Sequence, residues 1–151
     1  MDQTAGRLAR WLRILGLDAE YVAVGDASSI VRRARQSGRT VLTRNRVIAD
    51  RLGRAGILLT SEHLGDQLRQ VVEHVGYDNC EPFSRCNACN TALIPVARDS
   101  VRGRVPVYVY QHHDRFSVCP VCGRYYWRGT HWHIMHRQIE KIMGGTYDGD
   151  K

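Results

Sequence analysis

Two Cys-x-x-Cys pairs, Cys86-Asn-Ala-Cys89 and Cys119-Pro-Val-Cys122, stand 29 residues apart and constrain this chain more than any other feature. Four thiolates brought together from two such pairs complete the tetrahedral shell of Zn²⁺, and the metal supplies folding free energy that a short segment lacks. Asn90 and Gly123 directly follow the second Cys of each pair. Both residue types tolerate positive φ, which a knuckle needs if its backbone N–H groups are to turn toward the sulfurs. The alternative, two redox motifs or disulfides, requires an oxidising compartment or a thioredoxin-like setting. A closed four-thiolate shell has no open position for water, so the zinc is expected to be structural rather than catalytic. Cys80 stands apart from the pairs and is expected to be a free thiol near a domain junction, with no assigned role.

The remainder of the chain excludes several classes. No apolar run approaches the roughly 18 residues that cross a bilayer, and the start MDQTAGRLARWLR lacks the apolar core of a signal peptide, so a cytoplasmic protein is expected. Basic residues outnumber acidic ones 22 to 15, giving a formal charge of +7, and 20 of the basic residues are Arg. Arg favours planar, bidentate contact with phosphate, which makes nucleic acid the expected partner class; coding bias toward Arg would give the same composition. A basic membrane-surface protein would need an exposed amphipathic helix with lipid-facing aromatics, and none stands out.

Periodicity organises the chain into two parts. Leu8, Trp11, Leu12 and Leu15 fall at i, i+3, i+4 and i+7, one face of a helix stopped by Gly16, with Arg7, Arg10 and Arg13 on the other side. Residues 18–24 alternate as a strand. A helix over 28–36, opened by Asp26 or Ser28 and closed by Gly38, follows. The spacing then predicts a strand at 40–43, a helix over 46–53, a strand at 57–60 and a helix over 63–75. This alternation implies parallel βαβ units with helices on both faces of a sheet. The pattern opens on a helix, so a first central strand is expected to be missing or truncated. From about residue 76 the texture changes to Cys, Pro, Arg and aromatic residues, with VPVYVY at 105–110 reading as a strand and a helix over 131–143. Domains are expected at 1–80 and 81–151.

In open α/β sheets the carboxyl ends of strands gather ligands, and TVLTRNR at 40–46 turns polar at such an end with Thr43, Arg44 and Asn45. Hydrolysis of phosphodiesters by metal ions needs converging carboxylates on Mg²⁺ or Mn²⁺. Asp2 before the first helix, Asp18, and Glu62 or Asp66 near the last α/β helix are the candidates, although acidic residues at helix starts also serve as caps.

The run from Asp2 to Asp18, D-x-x-x-G-R-L-A-R-W-L-R-x-L-G-x-D, followed by VLTRN at 41–45, DQL at 66–68, RCNACN at 85–90 and CPVCGRYYWRGTHW at 119–132, resembles the Mut-seven C-terminal RNase domain family. The resemblance implies a PIN-like nuclease domain with a zinc ribbon behind it. It further implies a metal-dependent ribonuclease with Asp2 as the first-strand carboxylate and Asp66 as the last. The family's strand-end motif reads LTRD, so Asn45 stands where a metal-binding aspartate is expected. An amide oxygen can still ligate Mg²⁺, but one negative charge is absent from a site that concentrates charge.

Tyr125, Tyr126, Trp127, Arg128, His131 and Trp132 interleave rings and cations beside the second Cys pair. Such a platform could stack single-stranded bases while Arg holds phosphate, or it could serve as the core of a small ribbon. Arg7 and Arg10 on the first helix, and Arg44 at the strand end, are the other candidate RNA contacts. His112, His113, His133 and His136 are expected to be solvated, because four thiolates already complete a zinc. Two functions remain open: a Mg²⁺- or Mn²⁺-dependent ribonuclease using Asp2, Asn45, Asp66 and Asp18, or an RNA-binding protein with a degenerate site. In either case the partner is RNA, whether tRNA, mRNA or the ribosome.

Overall fold

The computed structural model describes residues 3–22 and 26–142, which group into two compact units. One consists of residues up to Leu8 together with Glu20–Tyr77, and the other of Ala9–Ala19 together with residues from Asp78 onward. Helix α1, Gln3–Ile14, therefore contributes its first half to one unit and its second half to the other. The whole is mixed α/β, with a small parallel sheet, several helices and a cluster of cysteines.

In the first unit, helix α2 (Ala27–Ser37) begins where the Asp26 carboxylate accepts from the Ser29 N–H at 2.7 Å, and it ends on Gly38 at φ 70. The bond from the Ser29 backbone holds the Asp26 carboxyl below its usual range. Strand β1 (Val41–Thr43), helix α3 (Arg46–Leu52) and strand β2 (Gly56–Leu58) form one βαβ unit, with β1 parallel to β2 in the register Val41↔Gly56, Leu42↔Ile57 and Thr43↔Leu58. Val31 and Ala34, three apart on α2, meet Ile48 and Leu52, four apart on α3, to make the core. Each fully buried aliphatic side chain of this kind contributes about 1.5–3 kcal/mol. Helix α4 (Leu64–Val75) buries Leu68, Val71 and Val72 along one face.

The second unit holds a three-stranded antiparallel sheet in the order β3 (Ile94–Val96), β4 (Phe116–Val118) and β5 (Tyr125–Tyr126). Helix α5 (Val107–His112) lies between β3 and β4 in sequence, and helix α6 (Thr130–Ile142) follows β5.

Two expectations need correction. VPVYVY is not a strand, since Val107–His112 is helical. Its alternation had no buried side: Val107 and Tyr108 are 71% and 67% exposed. Tyr108 instead stacks on His112 at 4.2 Å, an i,i+4 spacing, and Arg98 binds the Tyr110 carbonyl at 2.7 Å while lying 4.1 Å over its ring. Pro106, having no N–H to leave unsatisfied, suits the helix start. The second correction is that residues 18–22 form no strand; residues 23–25 lie outside those described. Side chains have taken the backbone groups a ladder would use. Ala19 donates its N–H to Asn90 Oδ1 at 3.1 Å and accepts from Arg13 Nε at 2.8 Å. Among the described residues the parallel sheet thus has two strands.

Candidate active site and metal centre

The strand end singled out in the sequence is built by backbone capping. Asn45 follows β1 and is the N-cap of α3. Its Oδ1 accepts from the N–H groups of Val47 at 2.9 Å and Ile48 at 3.3 Å, while its own N–H donates to Thr43 Oγ1 at 3.0 Å. These bonds fix the orientation of the amide, because only its oxygen can accept. Asn45 has one such oxygen, and the helix uses it. Arg44 beside it is exposed.

Asp66 comes from the neighbouring strand end, in the first turn of α4 after β2. Because β1 and β2 run parallel, Asn45 and Asp66 both follow the carboxyl edge of the sheet. Glutamines shape the loop between them. Gln70 Nε2 donates to the Leu58 carbonyl at 2.7 Å, and its Oε1 accepts from the Thr60 N–H at 3.2 Å. Gln67, 2% exposed, donates to the Ser61 carbonyl at 2.8 Å. Ser61 Oγ in turn donates to Asp66 Oδ2 at 3.0 Å. The exposed Asp66 carboxylate is thus oriented through one oxygen. Asp2 lies outside the described residues, and Glu62 is exposed in the loop before α4.

Asp18 belongs to the second unit, where its Oδ1 accepts from Asn90 Nδ2 at 2.6 Å. The carboxylate there ties the segment after α1 to the first cysteine knuckle. Arg13 adds to the same tie, donating to the Asn87 carbonyl at 3.1 Å and the Ala88 carbonyl at 3.4 Å. Arg13 is therefore half-buried, whereas Arg7 and Arg10 on the same helix are exposed.

The four paired cysteines converge. The Sγ atoms of Cys86, Cys89, Cys119 and Cys122 all lie within 4.8 Å of one another, the one such group of candidate metal ligands among the described residues. Cys86 and Cys122 are 3.8 Å apart. Zn–S bonds of about 2.3 Å in a tetrahedron place sulfurs roughly 3.8 Å apart, so the donor set and its spacing suit structural zinc. Both knuckles have the expected backbone: Asn90 at φ 65 and Gly123 at φ 77. Asn90 N–H donates to the Cys86 carbonyl at 2.8 Å and Gly123 N–H to the Cys119 carbonyl at 2.9 Å, an identical bond in each.

The thiols compete for protons. Burial opposes ionisation of Cys86, but its contact with the Tyr126 hydroxyl and hydrogen bonds from the N–H groups of Cys89 and Ala88 outweigh it and bring its pKa down to about 6. Cys89 is pushed up to about 12, first by its bond with Cys122 and then by burial. Burial, together with Cys86, also raises the Tyr126 phenol. A divalent cation at the centre of the four sulfurs would offset this crowding of negative charge. Cys80 is half-buried and burial raises its thiol.

A model of the Mut7-C RNAse domain matches residues 1–139 of this chain. The chain belongs to the Mut7-C RNAse domain family. Neither a curated protein nor a solved structure matches it. The match spans both units of this Mut7-C RNAse domain, from the strand end at Asn45 through the cysteine cluster. Among its described residues, no helix is long and apolar enough to cross a membrane.

The aromatic and basic platform of this Mut7-C domain divides in two. Trp127 is half-buried, 6.5 Å from the Phe116 ring and beside a groove, whereas exposed Arg128 lies 4.9 Å over Trp132. Trp132 also packs against Phe83 at 4.8 Å and stacks on His136 at 4.9 Å. His131 falls in the first turn of α6, and its side chain lies outside the described part. His112 and His133 are exposed as expected, whereas His113 and His136 are half-buried. Arg104 and Arg124, which line the groove with Trp127, were not singled out in the sequence, since each lies beside a glycine with no periodic signal.

Proposed function

We propose that this protein is a metal-dependent ribonuclease of the Mut7-C family, weakened at Asn45, with a PIN-like α/β part and a structural zinc ribbon. The family match over residues 1–139 carries the reading. The reading has Asp66 and Asn45, together with Asp2, hold a Mg²⁺ or Mn²⁺ that would polarise a phosphodiester and activate water. Ser61 keeps the Asp66 carboxylate in one orientation. Arg44, exposed at the strand end, is suited to neutralise a phosphate. Asp18 contributes indirectly, by anchoring the segment after α1 to Asn90.

A second reading, an RNA-binding protein without cleavage, has one observation in its favour. The single acceptor oxygen of Asn45 is already engaged by two backbone N–H groups. An aspartate at 45 would cap the helix with one oxygen and retain a second, charged oxygen for a cation.

Asn45→Asp separates the two readings. The expected outcome is tighter Mn²⁺ binding by calorimetry and faster cleavage of a labelled RNA, by tenfold or more, since tenfold corresponds to only about 1.4 kcal/mol. Asp66→Asn in the same background should remove the gain. No divalent binding and no cleavage in Asn45→Asp would leave the RNA-binding reading.

A further inference from the structure

Beside the cysteine cluster, within the second unit, lies an open groove of about 630 Å³, a size within the range of small-ligand clefts. Arg104, Pro106, Arg124, Tyr125 and Trp127 form most of its wall, and no carboxylate lines it. Three separate segments bring these residues together: the turn before α5, the second cysteine knuckle and strand β5. Because Val107–His112 is helical, Arg104 and Pro106 lie in the turn that forms one side.

Contacts among neighbouring residues brace the groove walls. Tyr126 contacts Cys86 Sγ and donates to Asn87 Oδ1, both at 3.0 Å. Trp127 leans on Phe116, and a side chain at Gly129 would meet the indole nitrogen at 2.8 Å, so only glycine lets that ring lie where it does. The two arginines differ from their neighbours. Arg98 is engaged by Tyr110 and Arg128 by Trp132, whereas Arg104 and Arg124 are exposed with no carboxylate in ion-pair range among the described residues. Two uncompensated guanidiniums flanking half-buried rings are complementary to a ligand that carries phosphate and a flat face together.

We propose that this groove binds an unpaired segment of RNA, with a base stacked on Trp127 or Tyr125 and the adjoining phosphates held by Arg104 and Arg124. Stacking on rings is sequence-tolerant and requires bases free of a duplex, so the groove selects single strands over helices. The inference rests on reading the protein as RNA-acting, and it assigns that activity a recognition site within the second unit.

The test uses the full zinc-loaded chain and three probes of equal length: oligouridylate, an abasic ribose-phosphate oligomer and a duplex RNA. Oligouridylate should bind tightest. Arg104→Gln combined with Arg124→Gln should weaken it about tenfold and flatten the log–log salt slope by roughly 1.4, the contribution of two single-strand phosphates. Trp127→Phe should retain most of the affinity, whereas Trp127→Leu, with zinc content unchanged, should lose about fivefold or more. If Trp127→Leu loses zinc, the double arginine variant still decides. Unchanged affinity in the arginine pair, or equal binding of the abasic or duplex probe, overturns the proposal. Groove-dependent binding without metal-dependent cleavage in Asn45→Asp would remove the nuclease reading and keep the groove. Cleavage with unchanged binding in the arginine pair would do the reverse.

Discussion

Asn45 shows how one side chain can serve structure at the position where chemistry is expected. Its oxygen satisfies two of the N–H groups that a helix start leaves without partners. Replacing it with alanine should therefore cost about 0.5–2 kcal/mol of stability, as loss of an N-cap does, visible as a lower urea midpoint at unchanged slope. Asn45→Asp should keep the cap and show no such loss. An unaltered midpoint in Asn45→Ala would mean that α3 is held by Ile48 and Leu52 alone. Asn90 serves two purposes in the same way. It adopts φ 65 at the knuckle, which the sequence announced, and it also bonds Asp18 and the Ala19 N–H, which no local pattern could announce, because those partners lie about 70 residues away.

At the scale of elements, the long helices were legible, and the pieces that depend on distant partners were not. Helices α2, α3, α4 and α6 fall within a residue or two of the expected spans because each carries its own apolar stripe and, for α2 and α3, its own caps. Residues 18–22 of the strand expected at 18–24 form none because Arg13 and Asn90 took the Ala19 backbone groups. VPVYVY failed because alternation of apolar and aromatic residues predicts a strand only when a buried face exists to receive one side. Strands β3, β4 and β5 are two or three residues each, too short to show a period. The end of α1 illustrates the same dependence. Gly16 was expected to stop the helix, and it does so at φ 88, but the structure adds that any side chain there would collide with the Glu81 backbone. The same junction carries Phe83 N–H to the Ile14 carbonyl at 2.7 Å and Arg85 Nε to the Gly16 carbonyl at 3.2 Å. Gly16→Ala combines a positive-φ penalty with a backbone clash, so it should destabilise the second unit by about 2–4 kcal/mol, read as a lower thermal midpoint. A midpoint within a degree of the parent's would show that this junction is not held as described.

For the molecule as a whole, the decisive quantity is how much of the second unit would depend on a metal ion that its four clustered cysteines could hold. Its described core is small: apart from Cys86 and Cys119, the buried apolar residues of that unit are Ala9, Leu12, Ile14, Leu15, Val101, Phe116 and Ile139. Structural zinc in small peptides binds with about 10–16 kcal/mol, comparable to or larger than the roughly 5–15 kcal/mol that stabilises an ordinary domain. Metal loss should therefore unfold the unit rather than loosen it. The sequence supplies a convenient reporter, because Trp11, Trp127 and Trp132 all belong to this unit and none to the other. Chelation, or Cys86→Ser, should shift tryptophan emission to the red and abolish the near-ultraviolet dichroism of the rings. Acidification should do the same, because zinc requires deprotonated thiolates and protons compete for them as pH falls. A Cys86→Ser protein that carries no zinc yet keeps the parent's emission and dichroism would sink the structural role of the cluster, and the pairing of Asn90 with Asp18 would then have to hold the knuckle without it.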